Sequence, residues 1–111
     1  MQYFCNVDER KGTCYHEFYR GKWDGSDFWN EKSVLIHDDV LRELELYRAF
    51  EAVIPAYDYF GKTEITQKEW MLIQQYTRDH LSGKAQEALD EIIGWIDDTF
   101  LAEDVVTILG I

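Results

Sequence analysis

Proline occurs once in 111 residues, at Pro55, and no stretch is dominated by serine or glycine. A set of domains joined by flexible linkers is thereby excluded, and the length predicts one domain spanning 1–111. Cysteine occurs twice, and Cys5 and Cys14 are too few for the disulfide framework of a small secreted scaffold. With His16 they form a C-x8-C-x-H cluster, but the close cysteine pair of a zinc site is missing. No metal and no cofactor is expected. Apolar runs stop at three or four residues, far short of the roughly 20 that span a bilayer. The segment Met1–Val7 has neither a basic start nor an apolar stretch of signal-peptide length, so a cytoplasmic protein is expected.

Positive charge is the other scarcity. Eleven Lys and Arg face 22 Asp and Glu, a net charge of −11. Phosphate binding needs a basic face, so direct work on nucleic acid is disfavoured, as is binding to an anionic membrane. A cationic protein partner is favoured, although acidity also serves solubility. Hydrophobic residues make up 46% of the chain and aromatics 15%, enough to drive a core and to exclude intrinsic disorder.

The patterning predicts an α+β domain: a small, mainly antiparallel sheet covered by helices on one face. Residues 2–7 and 13–19 alternate as strands around the polar Asp8-Glu9-Arg10-Lys11-Gly12, which predicts an N-terminal hairpin over about 2–19. Residues 20–32 mix glycines with large aromatics and predict an irregular loop, and about 33–37 is a short strand. Asp38-Asp39 suits a helix start, and Val40, Leu41, Leu44, Tyr47, Phe50 and Ile54 keep one apolar face over about 38–54, until Pro55 stops it. A second loop covers 56–62. Thr66-Gln67-Lys68-Glu69 reads as a capping box opening a helix over about 67–80. Ser82-Gly83 separates it from a third helix over about 84–102, and the β-branched run at about 105–109 predicts the last strand.

Charge concentrates at the C-terminal end. Residues 38–111 hold six cations and sixteen acids, and no cation follows Lys84. At about 100° per residue, Glu87, Asp90, Glu91, Asp97 and Asp98 share an arc of about 120° on the third helix, opposite the apolar side chains. Like charges this close repel, and Asp97 and Asp98 face the unfavourable end of the helix dipole. Gly94 falls inside the stripe, where it would let a partner approach closely. The stripe is therefore a candidate contact for a cationic protein, against the plainer reading of a solvated acidic face. Calcium has no EF-hand pattern to support it.

Two loops have a common texture. Trp23-Asp24-Gly25-Ser26-Asp27-Phe28-Trp29 and Tyr57-Asp58-Tyr59-Phe60-Gly61 interleave aromatics with Asp around Gly. An aromatic beside a carboxylate can engage an incoming Arg or Lys. Phe28, Trp29 and Phe60 are expected to be core residues flanking turns; Trp23, Asp24, Asp27, Asp58 and Tyr59 are expected to be exposed and to contact the partner. No nucleophile elbow, HExxH, Walker loop or dinucleotide fingerprint accompanies His16, His37 and His80. No catalytic residue is assigned and no enzyme is expected.

The segments FWNEKSVLIHDD (28–39), YDYFGKTEITQKEW (57–70) and VVTILGI (105–111) resemble parts of the small acidic immunity proteins of bacterial toxin–immunity systems, the polymorphic-toxin and contact-dependent-inhibition systems among them. The resemblance covers about two-thirds of the chain and is one of texture, with no diagnostic motif. It implies a non-enzymatic inhibitor that binds a toxin domain, commonly a basic nuclease, and blocks its active site. It transfers no residue roles. The alternatives are an acidic adaptor or regulatory module without a toxin partner, and a small enzyme using Asp/Glu with His16 or His37.

Overall fold

A computed structural model describes all 111 residues. Five strands form one antiparallel sheet in the order β1-β3-β2-β5-β4, from β1 (Phe4–Asn6), β2 (Tyr15–Arg20), β3 (Val34–His37), β4 (Lys62–Thr66) and β5 (Val105–Leu109). Five helices accompany it: α1 (Asp38–Glu43), α2 (Leu46–Val53), α3 (Gln67–His80), α4 (Gly83–Glu91) and α5 (Ile93–Ala102). The α+β architecture agrees with the sequence pattern. No helix is long and apolar enough to cross a membrane.

Register explains the layering. Phe4 lies opposite Ile36, Phe18 opposite both Val34 and Ile108, and Ile65 opposite Val106, so these side chains share one face. That face packs on Leu41, Leu46, Phe50, Trp70, Ile73, Leu89, Ile92 and Ile96 from the helices. Leu35, Glu17, Thr107 and Leu109 occupy the other face and are also buried. The loop after β2 covers them: Glu17 accepts the amides of Trp29 and Asn30 (2.8 and 3.0 Å) and the Ser33 hydroxyl (2.6 Å), while Thr107 donates to the Gly21 carbonyl (2.7 Å).

The expected hairpin over 2–19 does not form. β1 and β2 both pair with β3, which lies between them. Asn6 and Glu9 cap a 3₁₀ turn over Val7–Glu9, which carries the chain away from the strand instead of folding it back. The three consecutive apolar residues Val34–Ile36 are buried on both faces and suit an inner strand, whereas the three-residue β1 suits an edge. The predicted second loop also ends in an extra strand: β4 alternates exposed and buried residues from Lys62 to Thr66.

Two predicted helices are each broken. In 38–54 the break is at Glu45, which adopts a left-handed conformation (φ 58°). A continuous helix would turn Leu46 away from Leu41 and Leu44 by over 100°, at about 100° per residue; after the break Leu46 is fully buried. In 84–102 the backbone leaves helical geometry at Ile92 (φ −111°, ψ 8°), two residues before Gly94, a weak helix former. The apolar phase continues through Ala85, Ala88, Leu89, Ile92 and Ile96, so the effect is a kink. The capping box of α3 forms as read, with Glu69 N donating to Thr66 Oγ1 (3.2 Å) and Thr66 N to Glu69 Oε1 (2.9 Å).

Candidate functional site

The five acids of the C-terminal stripe divide between α4 and α5, and their environments differ. Glu91 faces inward to β1: its carboxylate accepts the amides of Gln2 (2.6 Å), Tyr3 (2.9 Å) and Phe4 (3.0 Å). It clamps the N-terminal strand and is not a free contact residue. Glu87 accepts the Tyr3 hydroxyl (3.1 Å) yet stays exposed. Asp90 accepts from Gln86 one turn back (2.9 Å). Asp97 is exposed with no ion-pair partner. Asp98 is the only one of the five met by a cation, Arg20 from β2 at 2.9 Å. That Arg20 guanidinium also lies over the Trp95 ring (4.7 Å to the centroid) and donates to Thr99 (2.8 Å). Glu103 and Asp104, just past α5, extend the exposed acidic run.

The first aromatic loop is pinned at its base and open at its tip. Asp24 accepts the amides of Ser26 and Asp27 (2.9 and 2.8 Å), and these bonds hold its carboxyl below the ordinary value. Trp23 is half-buried, donating to the Asp27 carbonyl (2.9 Å) and packing on Phe28. Asp27 is half-buried as well, accepting from Asn30 (2.7 Å). Phe28, expected in the core, is 57% exposed. Trp29 is half-buried in a left-handed conformation (φ 59°), held there by Glu17 on its amide and by Arg10 over its ring (4.5 Å).

The residues that follow this loop share a surface with β2 and α5. Tyr19, Asn30 and Lys32 on one side, and Asp98, Leu101 and Glu103 on the other, line an open groove of about 720 Å³. The Trp95 indole donates to the Lys32 carbonyl (2.8 Å), tying α5 to this segment, and the Tyr19 hydroxyl reaches Asp27 (3.4 Å). Leu101 stands on the rim at 87% exposure, leaving apolar surface beside the acids.

The second aromatic loop lies at the opposite end of β2, where Tyr59 packs edge-on against His16 (4.9 Å). Tyr59 is not the free contact residue expected from the sequence: its hydroxyl donates to Asp38 Oδ1. Asp38 also accepts from His16 Nε2 (2.8 Å) and from Arg42 Nε (3.0 Å). Burial opposes its charge, but the bonds from Tyr59 and His16 and the charge of Arg42 outweigh burial and keep the carboxyl below its ordinary value. Burial depresses the His16 pKa against the pull of Asp38, so the ring is neutral near pH 7, with Nε2–H donating and Nδ1 buried without a partner. Burial, then Asp38, push the Tyr59 hydroxyl up to about 12. Asp58 is exposed and accepts the Phe60 amide (3.0 Å), and Phe60, expected in the core, is 73% exposed. Gly110 donates to the Gly61 carbonyl (2.8 Å), where any Cβ would strike the Tyr59 carbonyl.

The structure links Asp27, through Tyr19 and Asn30, to the groove that Asp98 also lines, and places Tyr59 and Asp58 at the other end of β2. The His16–Asp38–Tyr59–Arg42 cluster leaves no signal in the sequence: its members are up to 43 positions apart, and no local pattern links them. His16 is fully buried, and His37 caps α1 by accepting the Asp39 amide (3.0 Å). Compared with known proteins, the chain matches no family model, no curated protein and no solved structure.

Proposed function

We propose that this chain is a non-enzymatic immunity protein that acts in the cytoplasm, binding a basic toxin domain, of nuclease type, through the face built by α4, α5 and the first aromatic loop. One observation carries the reading: from Glu87 to Asp104 seven carboxylates meet one cation, Arg20, while Asp90, Asp97, Glu103 and Asp104 stand exposed and Leu101 bares its side chain between Asp98 and Glu103 on the groove. A surface selected for solubility alone would intersperse cations. Such a face raises the encounter rate with a positive partner at low salt, within a screening length of about 8 Å at physiological ionic strength. Exposed Phe28 and Leu101 supply the apolar contact that charge alone lacks. Carboxylates along a helix can also occupy a groove that otherwise takes phosphates.

Calorimetry against the product of the adjacent upstream gene tests this. Binding is expected to weaken with added salt and to weaken further in the charge-reversed pair Asp90→Lys and Asp97→Lys, both at exposed positions. Binding indifferent to salt and to both substitutions would remove this face from the account.

A further inference from the structure

A second surface is set apart from the acidic face. Tyr47 from α2, Tyr59 and Phe60 from the second loop, and Ile111 wall an open groove of about 570 Å³, with Asp38, Arg42 and Glu51 as its polar groups. The aromatic walls are mutually braced: Tyr47 meets Tyr59 edge-on at 6.3 Å, and Tyr59 meets Phe60 at 5.0 Å. Tyr59 is fixed by its bond to Asp38, and the Phe60 amide by Asp58. The groove is therefore built before any ligand arrives, which lowers the ordering cost of binding.

Its charges are not equally available. Arg42 is committed, with Nε on Asp38 (3.0 Å) and a terminal nitrogen on Asp39 (2.7 Å). Asp38 is committed to His16, Tyr59 and Arg42. Glu51 is exposed and has no cation within ion-pair distance. The groove thus offers one free carboxylate beside the exposed ring of Phe60 and the half-buried rings of Tyr47 and Tyr59, in a molecule of net charge −11.

We propose that this groove is a subsite for an arginine side chain presented by a partner protein. A guanidinium is planar and weakly hydrated, so it stacks on an aromatic face while its N–H fork engages a carboxylate. Lysine is a poorer fit, because its compact ammonium holds water more strongly and has no plane to stack. An anionic ligand meets the free Glu51 and a committed Arg42. A purely apolar segment would desolvate Glu51 without compensating it. The assignment stands independently of the face on α4 and α5, so either can fail alone.

The test is an NMR titration of the full chain at low salt with the peptide acetyl-Gly-Arg-Gly-amide, against the same peptide carrying citrulline or lysine. Citrulline keeps the shape of arginine and removes its charge. Saturable shifts are expected at the Tyr47, Tyr59 and Phe60 rings, with about tenfold weaker binding for both control peptides. Glu51→Gln and Phe60→Ala each alter an exposed side chain and are expected to weaken the arginine peptide by a similar factor, with the far-UV spectrum unchanged. The pair Asp90→Asn and Asp97→Asn is expected to leave it unaffected. Equal binding of citrulline or lysine, shifts centred on α5, or indifference to Glu51→Gln would each overturn the assignment.

Discussion

Replacing Glu91 with alanine separates a carboxylate that holds the fold from those that face outward. Three backbone amides at Gln2, Tyr3 and Phe4 lose their acceptor at once. Gln2 is exposed and turns to water, so the cost falls mainly on Tyr3 and Phe4, which are half-buried and buried. Leaving a buried donor unmet costs about 1–3 kcal/mol, and bonds to a charged acceptor sit toward the top of that range. Because the two amides share one carboxylate and the β1 edge can fray toward water, the combined loss is set at about 2–4 kcal/mol rather than the full sum. At a urea dependence of about 2 kcal/mol per molar, the unfolding midpoint falls by about 1–2 M. Tryptophan fluorescence reads it, with Asp97→Ala as the matched control expected to stay within about 0.5 kcal/mol of the parent. Hydrogen exchange adds the location, since protection is expected to fall in β1 and its pairing with β3 while β5 holds. If Glu91→Ala and Asp97→Ala give the same midpoint, the clamp contributes nothing and the division of the stripe into inward and outward acids is wrong.

Gly110→Ala is expected to destabilise by about 1–3 kcal/mol in the same urea assay, because the new methyl meets the Tyr59 carbonyl and relief requires giving up the Gly110–Gly61 hydrogen bond. Gly94→Ala is expected to stabilise by about 0.5–1 kcal/mol, since nothing stands near its Cβ position and alanine is the better helix former; an unchanged or lowered midpoint would refute this. Acid is expected to weaken the fold in two stages. The folded His16 has its pKa below 6.5, so the unfolded chain takes up the proton first and stability is lost as pH falls below 6.5; the depressed carboxyl of Asp38 adds a further loss below 3.8. Urea midpoints at a series of pH values measure both stages, and His16→Gln is expected to flatten the first; a midpoint that rises on acidification through this range would contradict the linkage.

What the sequence disclosed follows a physical rule. Features governed by neighbours within one turn were readable: the Thr66–Glu69 box, the stop at Pro55, the bounds of α3 and the β-branched β5. Features governed by distant partners were not. β1 has the alternation of a hairpin strand, yet its pairing with β3 rests on Val34–Ile36 competing better for the inner position. Phe28 and Phe60 carry the hydrophobicity of core residues, yet the loops that bear them are fixed by polar groups, Glu17 for one and Asp58 with Gly110 for the other, which leaves the rings outside. The break at Glu45 did leave a trace: Leu46 is apolar but out of phase with Leu41 and Leu44.

The acids show the same rule and sharpen the functional reading. On a helical wheel Glu91 and Asp97 both fall on the outer arc, at opposite edges about 120° apart, and neither has a neighbouring cation in sequence. In the fold Glu91 neutralises three amide dipoles from residues 87 to 89 positions away, Glu17 accepts the loop amides of Trp29 and Asn30, and Asp38 accepts side-chain donors from His16, Tyr59 and Arg42. Much of the acidity is therefore architectural: carboxylates serve as acceptors where chain ends and loops leave N–H groups without a ladder. The net charge therefore overstates the surface available to a partner, which is limited to the carboxylates left without such a structural role. Asp90, Asp97, Glu103 and Asp104 are such a remainder: each is exposed, none has a cation within ion-pair distance, and all follow Lys84, the last cation in the sequence. The proposed binding of a cationic partner rests on these four and on the lack of cations interspersed among them, and not on the net charge.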